Sequence, residues 1–217
     1  VISKASKPFG RDSKMEDSSF GWRFINPKME EIHGTEGMGQ TAENVAEKYN
    51  INRQDQDAFA ARSQKQASAA QKNGRFNTEI EFVEIPQQKS EPVKFSEDEF
   101  IKPNTSLDGL EKLRPAFKKD GTVTAGNSSG LNDGPAAMLI ASEEGMNVHG
   151  LKPLARVITS AVVGVEPRIM GMGPVHASKK ALKKAGLTMK DMDVIELNEA
   201  FAAQSLACIR ELELEDD

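Results

Sequence analysis

From residue 154 onward the chain alternates β-branched apolar runs with segments patterned as helices, and the turns between them are short. That alternation is the signature of a layered α/β fold. The run 154–163 is long enough for a buried strand. Pro174 can occupy the first turn of a following helix that carries Ala177, Ala181, Leu182 and Ala185 and stops at Gly186. Residues 193–197 read as a short buried strand, and Asn198 opens a last helix reaching about Leu212. The small apolar run 135–141 suits either a buried strand or a helix.

The first half reads differently. Residues 1–36 are rich in Gly, Pro, Ser and Lys, with Phe20, Trp22 and Phe24 close together, and read as an ordered loop. A short helix is expected over 41–49, where Val45 and Tyr49 share a face. Asn52 is a good N-cap, followed by Asp55 and Asp57 in a first turn whose dipole favours negative charge. The Ala-rich helix behind it should end near Asn73-Gly74. Residues 80–85 read as a strand ending at Pro86, and 86–99 as a polar surface excursion. A short helix fits between Pro103 and Pro115. The boundary falls near 131–134, which divides the chain into 1–131 and 132–217.

Composition narrows the function classes. A net charge of −5 argues against a nucleic-acid binder, which carries a basic stripe. No apolar stretch approaches the ~20 residues that span a bilayer, and the N-terminus does not read as a signal peptide. A cytoplasmic location is the default expectation. The single cysteine, Cys208, excludes an intrachain disulfide. It lies well inside a predicted helix, where a structural thiol is expected; a nucleophile belongs at a helix N-terminus or beside a base. His33, His149 and His176 lack metal-ligand spacing, so no metal site is expected. There is no P-loop, no dinucleotide fingerprint and no nucleophile elbow.

Three loops sit at element junctions, where α/β folds bind ligands: 125–134, 170–174 and 198–201. The Asn127-Ser-Ser-Gly130 loop offers backbone N–H groups and two hydroxyls, although composition alone favours an ordinary turn. Met170-Gly-Met-Gly-Pro174 could present apolar surface to an acyl chain or pantetheine arm, or be core methionine plus a helix start. Asn198 could hold a water or polarise a carbonyl, or simply cap a helix. Glu199 could do no more than complement the dipole.

Together these segments resemble the thiolase family. The matching stretches are Gly37-Met-Gly-Gln-Thr-Ala-Glu-Asn-Val-Ala46, Gln56-Asp-Ala-Phe-Ala60, Leu113-Arg-Pro-Ala-Phe117, Gly121-Thr-Val-Thr-Ala-Gly-Asn-Ser-Ser-Gly-Leu-Asn-Asp-Gly134, Met170-Gly-Met-Gly-Pro174 and Asn198-Glu-Ala-Phe-Ala-Ala-Gln204. They occur in the family's order across nearly the whole chain. The resemblance implies a piece of a thiolase-like α/β fold. A helical and loop insertion domain with its return (1–131) would precede the start of the C-terminal half (132–217). The start at Val1 rather than Met and the charged end at 211–217 are expected of an internal piece.

The resemblance also implies an activity: an acyl-CoA acyltransferase that cleaves 3-oxoacyl-CoA with CoA, or condenses two acyl-CoAs in reverse. A cysteine thiolate is the nucleophile, as thioester chemistry favours. Coenzyme A is then a substrate, with no permanently bound cofactor. Acyl-CoA and CoA are the partners, alongside a homo-oligomer (dimer or tetramer) at full length. Carried over by position, Asn198 holds an oxyanion-hole water and Ser129 contacts the pantetheine. Met38, Met170 and Phe201 line the acyl and pantetheine tunnel, Leu113 lies near the adenine, and Lys102 stands near the nucleotide. The family's nucleophilic cysteine would precede Val1, and its Gly-His-Pro histidine and second cysteine would follow Asp217. The chain alone is therefore expected to be inactive and, lacking a partner half, weakly stable. Gly37 stands where several biosynthetic members carry histidine, and Gly21-Trp-Arg-Phe-Ile-Asn-Pro27 is similar to degradative members acting on 3-oxoadipyl-CoA. Two rivals are a non-catalytic CoA- or lipid-binding module on the same fold and a condensing ketoacyl synthase. The Asn198-Glu-Ala-Phe201 stretch argues against the synthase, which usually carries histidine there.

Overall fold

The computed structural model describes residues 1–17 and 21–215; Phe20 and the last two residues lie outside them. Seven α-helices are found among the described residues: α1 (Pro27–His33), α2 (Met38–Lys48), α3 (Arg53–Lys72), α4 (Leu107–Glu111), α5 (Glu143–His149), α6 (Gly173–Ala185) and α7 (Ala202–Glu211). One antiparallel hairpin pairs β1 (Val83–Ile85) with β2 (Val93–Phe95), with Glu84 opposite Lys94. Tight 3₁₀ turns span Arg75–Thr78, Pro167–Met172 and Met189–Asp191.

Local chemistry sets the helix ends as the sequence predicts. Asn52 caps α3 by accepting from the Asp55 amide at 2.8 Å. Gly186 ends α6 in the left-handed conformation (φ 70°), where a side chain would be strained and glycine is not. Pro174 lies in the first turn of α6, where its missing N–H costs nothing. Helix α4 forms between the two prolines, capped by Ser106. The 1–36 region is not all loop: Asn26 caps α1, with Pro27 pre-set for its first turn.

The core is built around α7, whose residues 202–208 are all buried. It packs on α2, α3, α6 and the Pro167–Met172 turn, and α2 packs on that turn as well. Val45, Val123, Met172, Val175, Ala203 and Ala207 fill the centre. Small residues on α7 let the neighbouring backbones approach closely, and Gly171 does the same from the turn: a Cβ there would strike the Gln204 side chain.

Three expected elements are absent. Residues 135–141, 154–163 and 193–197 form neither strand nor helix among the described residues. They are not buried either: Leu154 is 101% exposed, Val162 84% and Val194 79%. A strand exists only through its ladder, and among the described residues no segment pairs with these runs. Their apolar pattern is intact while the pairing partner is not in the chain described. The last helix also begins later than expected, at Ala202, so Asn198 is not its N-cap.

Candidate functional site

The glycine- and hydroxyl-rich loop 121–130 is fixed by buried polar side chains. Glu43, on the inner face of α2, accepts from the Thr122 amide at 2.9 and 3.0 Å and from the Val123 amide at 2.9 Å. Gly121 is required here, since a Cβ would collide with the Glu43 carboxylate. Further along, the buried Asn127 amide folds back on its own turn. Its Oδ1 accepts from the Thr124 amide at 2.8 Å, and its Nδ2 donates to Asp57 Oδ1 at 3.0 Å and to the Thr122 carbonyl at 3.2 Å. Asp57 is held from its other oxygen by Arg53 Nε at 2.7 Å. Arg53 Nη2 also donates to the carbonyls of Leu110 and Leu113, at 2.6 and 3.1 Å. One charged network therefore ties α3, the α4 region and the loop together. Such a network is stable only when each member is satisfied.

The same loop pairs with the segment that opens α7. The Ser129 amide donates to the Ala200 carbonyl at 3.0 Å, and the Ala202 amide donates to the Asn127 carbonyl at 3.0 Å. Ser128 and Phe201 thereby form an isolated antiparallel bridge. From α3, Ser63 Oγ donates to Glu199 Oε2 at 2.5 Å, which anchors the 198–201 turn from a second side. Glu199 thus does more than complement a helix dipole. A cleft of about 220 Å³ opens along this seam, with Ser63, Gln64, Phe100, Ser129 and Glu199 on its walls.

Of the residues assigned a role through the family resemblance, Ser129 is among those lining this cleft, and Ser128 and Glu199 from the same two loops line it as well. Asn198 is exposed one residue from Glu199 on the same turn. Phe201 meets Phe117 edge to face, with centroids 6.1 Å apart. Phe117 in turn rests on Gly39, where a Cβ would overlap its ring, so Phe201 and the start of α2 at Met38 meet through Phe117. Met170 is on the turn that packs against α2, and both methionines are partly exposed, at 55% for Met38 and 43% for Met170. Leu113 and Leu110 lie over Gly126, where neither leaves room for a Cβ. Lys102 adjoins the cleft wall: its amide donates to Gln64 Oε1 at 2.7 Å, and its Nζ lies 5.6 Å from the Phe100 ring centroid. Phe100 in turn covers Gly130. Cys208 is buried in α7; burial pushes its thiol up and a hydrogen bond from Gln204 partly offsets this. That environment suits a structural thiol and not a nucleophile.

Glu43, Arg53, Ser63 and Phe100 did not stand out in the sequence, and Asp57 stood out only as a complement to the helix dipole. An Arg53–Asp57 pair four apart and an acid on the apolar face of α2 were the available signals.

Residues 11–144 match the family model described as "Thiolase, N-terminal domain", and residues 151–217 match "Thiolase, C-terminal domain". The chain belongs to the thiolase family. Among similar curated proteins, a beta-ketoadipyl-CoA thiolase of Acinetobacter baylyi is 55% identical over the full 217 residues, which is 54% of that protein. The 3-oxoadipyl-CoA/3-oxo-5,6-dehydrosuberyl-CoA thiolase of Escherichia coli is 49% identical over the same shares. The crystal structure of human mitochondrial 3-ketoacyl-CoA thiolase superposes with a TM-score of 0.86 at 44% identity, covering 99% of this chain and 53% of that one. The chain thus spans about half the length of the thiolases it matches, and its α/β architecture is the thiolase fold over that span. No helix among the described residues is long and apolar enough to cross a membrane.

Proposed function

We propose that this chain is the CoA-facing middle portion of an acyl-CoA acyltransferase. The complete protein cleaves a 3-oxoacyl-CoA with CoA to acetyl-CoA and a shortened acyl-CoA, or runs the reverse condensation. Beta-ketoadipyl-CoA, named in the relatives at 49–55% identity, is the substrate of choice. The observation that carries this reading is the seam between loop 121–130 and the 198–201 turn. Backbone pairing there sets Ser129 and Asn198 on adjoining strips whose positions are fixed by buried charge. Fixed dipoles around a reacting thioester are what acyl transfer needs, because they stabilise developing oxyanion charge without reorganising.

In this reading Asn198 donates to a water that faces the oxyanion, and Ser129 hydrogen-bonds the pantetheine arm. Met38, Met170 and Phe201 line the tunnel for that arm and the acyl chain, Leu113 lies near the adenine, and Lys102 stands near the nucleotide. Coenzyme A is a substrate and no cofactor is retained. The complete protein works in the cytoplasm as a dimer or tetramer. The polypeptide of 217 residues alone is inactive, because its one thiol is buried and held protonated.

The test is a split between kcat and KM in the complete gene product. Asn198→Ala lowers kcat for thiolysis by roughly 10²–10³, the scale for one lost oxyanion donor, with little change in KM for CoA. Ser129→Ala raises KM for CoA and leaves kcat within a few-fold. Wild-type kcat in Asn198→Ala refutes the assignment of Asn198, and an unchanged KM in Ser129→Ala refutes that of Ser129.

A further inference from the structure

Arg168 belongs to the Pro167–Met172 turn, two residues before Met170. Between them Ile169 is buried at 9% exposure, so the turn is anchored by Ile169 while Arg168 and Met170 remain at the surface on either side of it. The turn is tied to α2, because Asn44 Nδ2 donates to the Arg168 carbonyl at 3.0 Å. From the segment leading into α2, Glu36 Oε1 lies 3.2 Å from Arg168 Nη2, and Glu36 is two residues before Met38. The guanidinium also closes over Gly34, where a Cβ would sit 3.1 Å from Nε. The pair therefore bridges the two segments that supply Met38 and Met170. Its guanidinium is half-exposed, and among the described residues no acceptor takes its Nε or Nη1.

A thiolase acting on a simple 3-oxoacyl-CoA needs only apolar surface at the end of its acyl channel. An acyl chain that ends in a carboxylate needs a cation there, since a carboxylate left unpaired on partly apolar surface costs more than the chain's own burial returns. The cation tied to the same turn from α2, Lys48, is paired with Glu166 at 3.4 Å.

We infer that Arg168, oriented by Glu36, is the residue that reads the terminal carboxylate of a dicarboxylic 3-oxoacyl-CoA. The inference rests on the acyltransferase reading above. Glu36 holds the guanidinium through an ion pair to Nη2 at 3.2 Å. The free edge then meets the substrate carboxylate through paired N–H donors, a geometry that arginine provides and lysine does not.

The experiment is steady-state thiolysis by the complete gene product with 3-oxoadipyl-CoA and acetoacetyl-CoA in parallel, comparing wild type, Arg168→Gln and Arg168→Lys. The expected result in Arg168→Gln is a fall of about tenfold or more in the ratio of kcat/KM for 3-oxoadipyl-CoA to that for acetoacetyl-CoA, the scale of one lost charge-assisted contact. The fall is carried by KM, and Arg168→Lys recovers part of the ratio. An unchanged ratio overturns the inference, whether both activities drop together or neither moves. Cleavage of acetoacetyl-CoA but not 3-oxoadipyl-CoA by the unaltered protein also overturns it and leaves the acyltransferase reading standing. Cleavage of neither overturns both.

Discussion

Replacing Asn127 with alanine removes three hydrogen bonds at once, and the structure says what each leaves behind. The Thr124 amide loses its acceptor while Thr124 itself is 0% exposed, so the N–H is stranded. A buried donor without a partner costs about 1–3 kcal/mol. Asp57 loses its amide donor but keeps Arg53, so one charge-assisted bond of about 1.5–3 kcal/mol goes. The bond to the Thr122 carbonyl adds about 1 kcal/mol at most. Because the groups share one network the losses do not add fully, and a total of about 3–5 kcal/mol is expected. That is a large part of a domain's usual stability of about 5–15 kcal/mol. Urea unfolding should show a lowered midpoint with an unchanged slope, and hydrogen exchange at the Thr124 amide should accelerate. Asn127→Asp keeps an acceptor for Thr124 but faces a carboxylate with the Asp57 carboxylate, so it should also destabilise. A loss below about 1 kcal/mol for alanine, or wild-type stability for aspartate, would refute the claim that this amide holds the loop.

Three further outcomes follow from the same contacts. Gly39→Ala should displace the Phe117 ring and break its edge contact with Phe201, with a cost of about 1–3 kcal/mol typical of overpacking; thermal unfolding measures it, and an unchanged melting temperature contradicts the packing described. Burial raises the Cys208 thiol above its ordinary value of 9.0, so the stability it contributes is present below that value and is lost as pH rises through the folded value. Unfolding curves between neutral and strongly alkaline pH should show that loss in the wild type and not in Cys208→Ala, and native-state thiol labelling should be slow. Lys118 donates to Glu47 at 2.8 Å and holds its carboxyl below 4.5, so carboxyl NMR should find that value rising towards normal in Lys118→Ala. An unmoved titration would mean the pair is not formed in solution.

Much of the helical half was legible because caps and breakers act locally. Asn52, Ser106, Gly186 and the prolines around α4 each fix an end without help from distant residues. The runs at 154–163 and 193–197 were misread for the opposite reason. β-branched composition marks a segment fit for a sheet, whereas a strand needs a neighbour, and none is present in the described chain. At the site, the loop glycines were visible as a motif, but their partners were not. Gly121 answers to Glu43, Gly126 to Leu110 and Leu113, and Gly130 to Phe100, each of them distant in sequence or on another element. The Ser63–Glu199 bond joins residues 136 apart, and no local pattern announces it. Asn198, read as a helix cap or a catalytic amide, is freed from the first role by the later start of α7.

The most direct test of the account is product balance. The complete gene product is incubated with 3-oxoadipyl-CoA and free CoA, and the thioesters are quantified by mass spectrometry. One acetyl-CoA and one four-carbon dicarboxylic acyl-CoA are expected for each CoA consumed. Tight CoA binding with no turnover of this substrate or of acetoacetyl-CoA would contradict it, and would make the chain part of a non-catalytic CoA-binding protein on the thiolase fold.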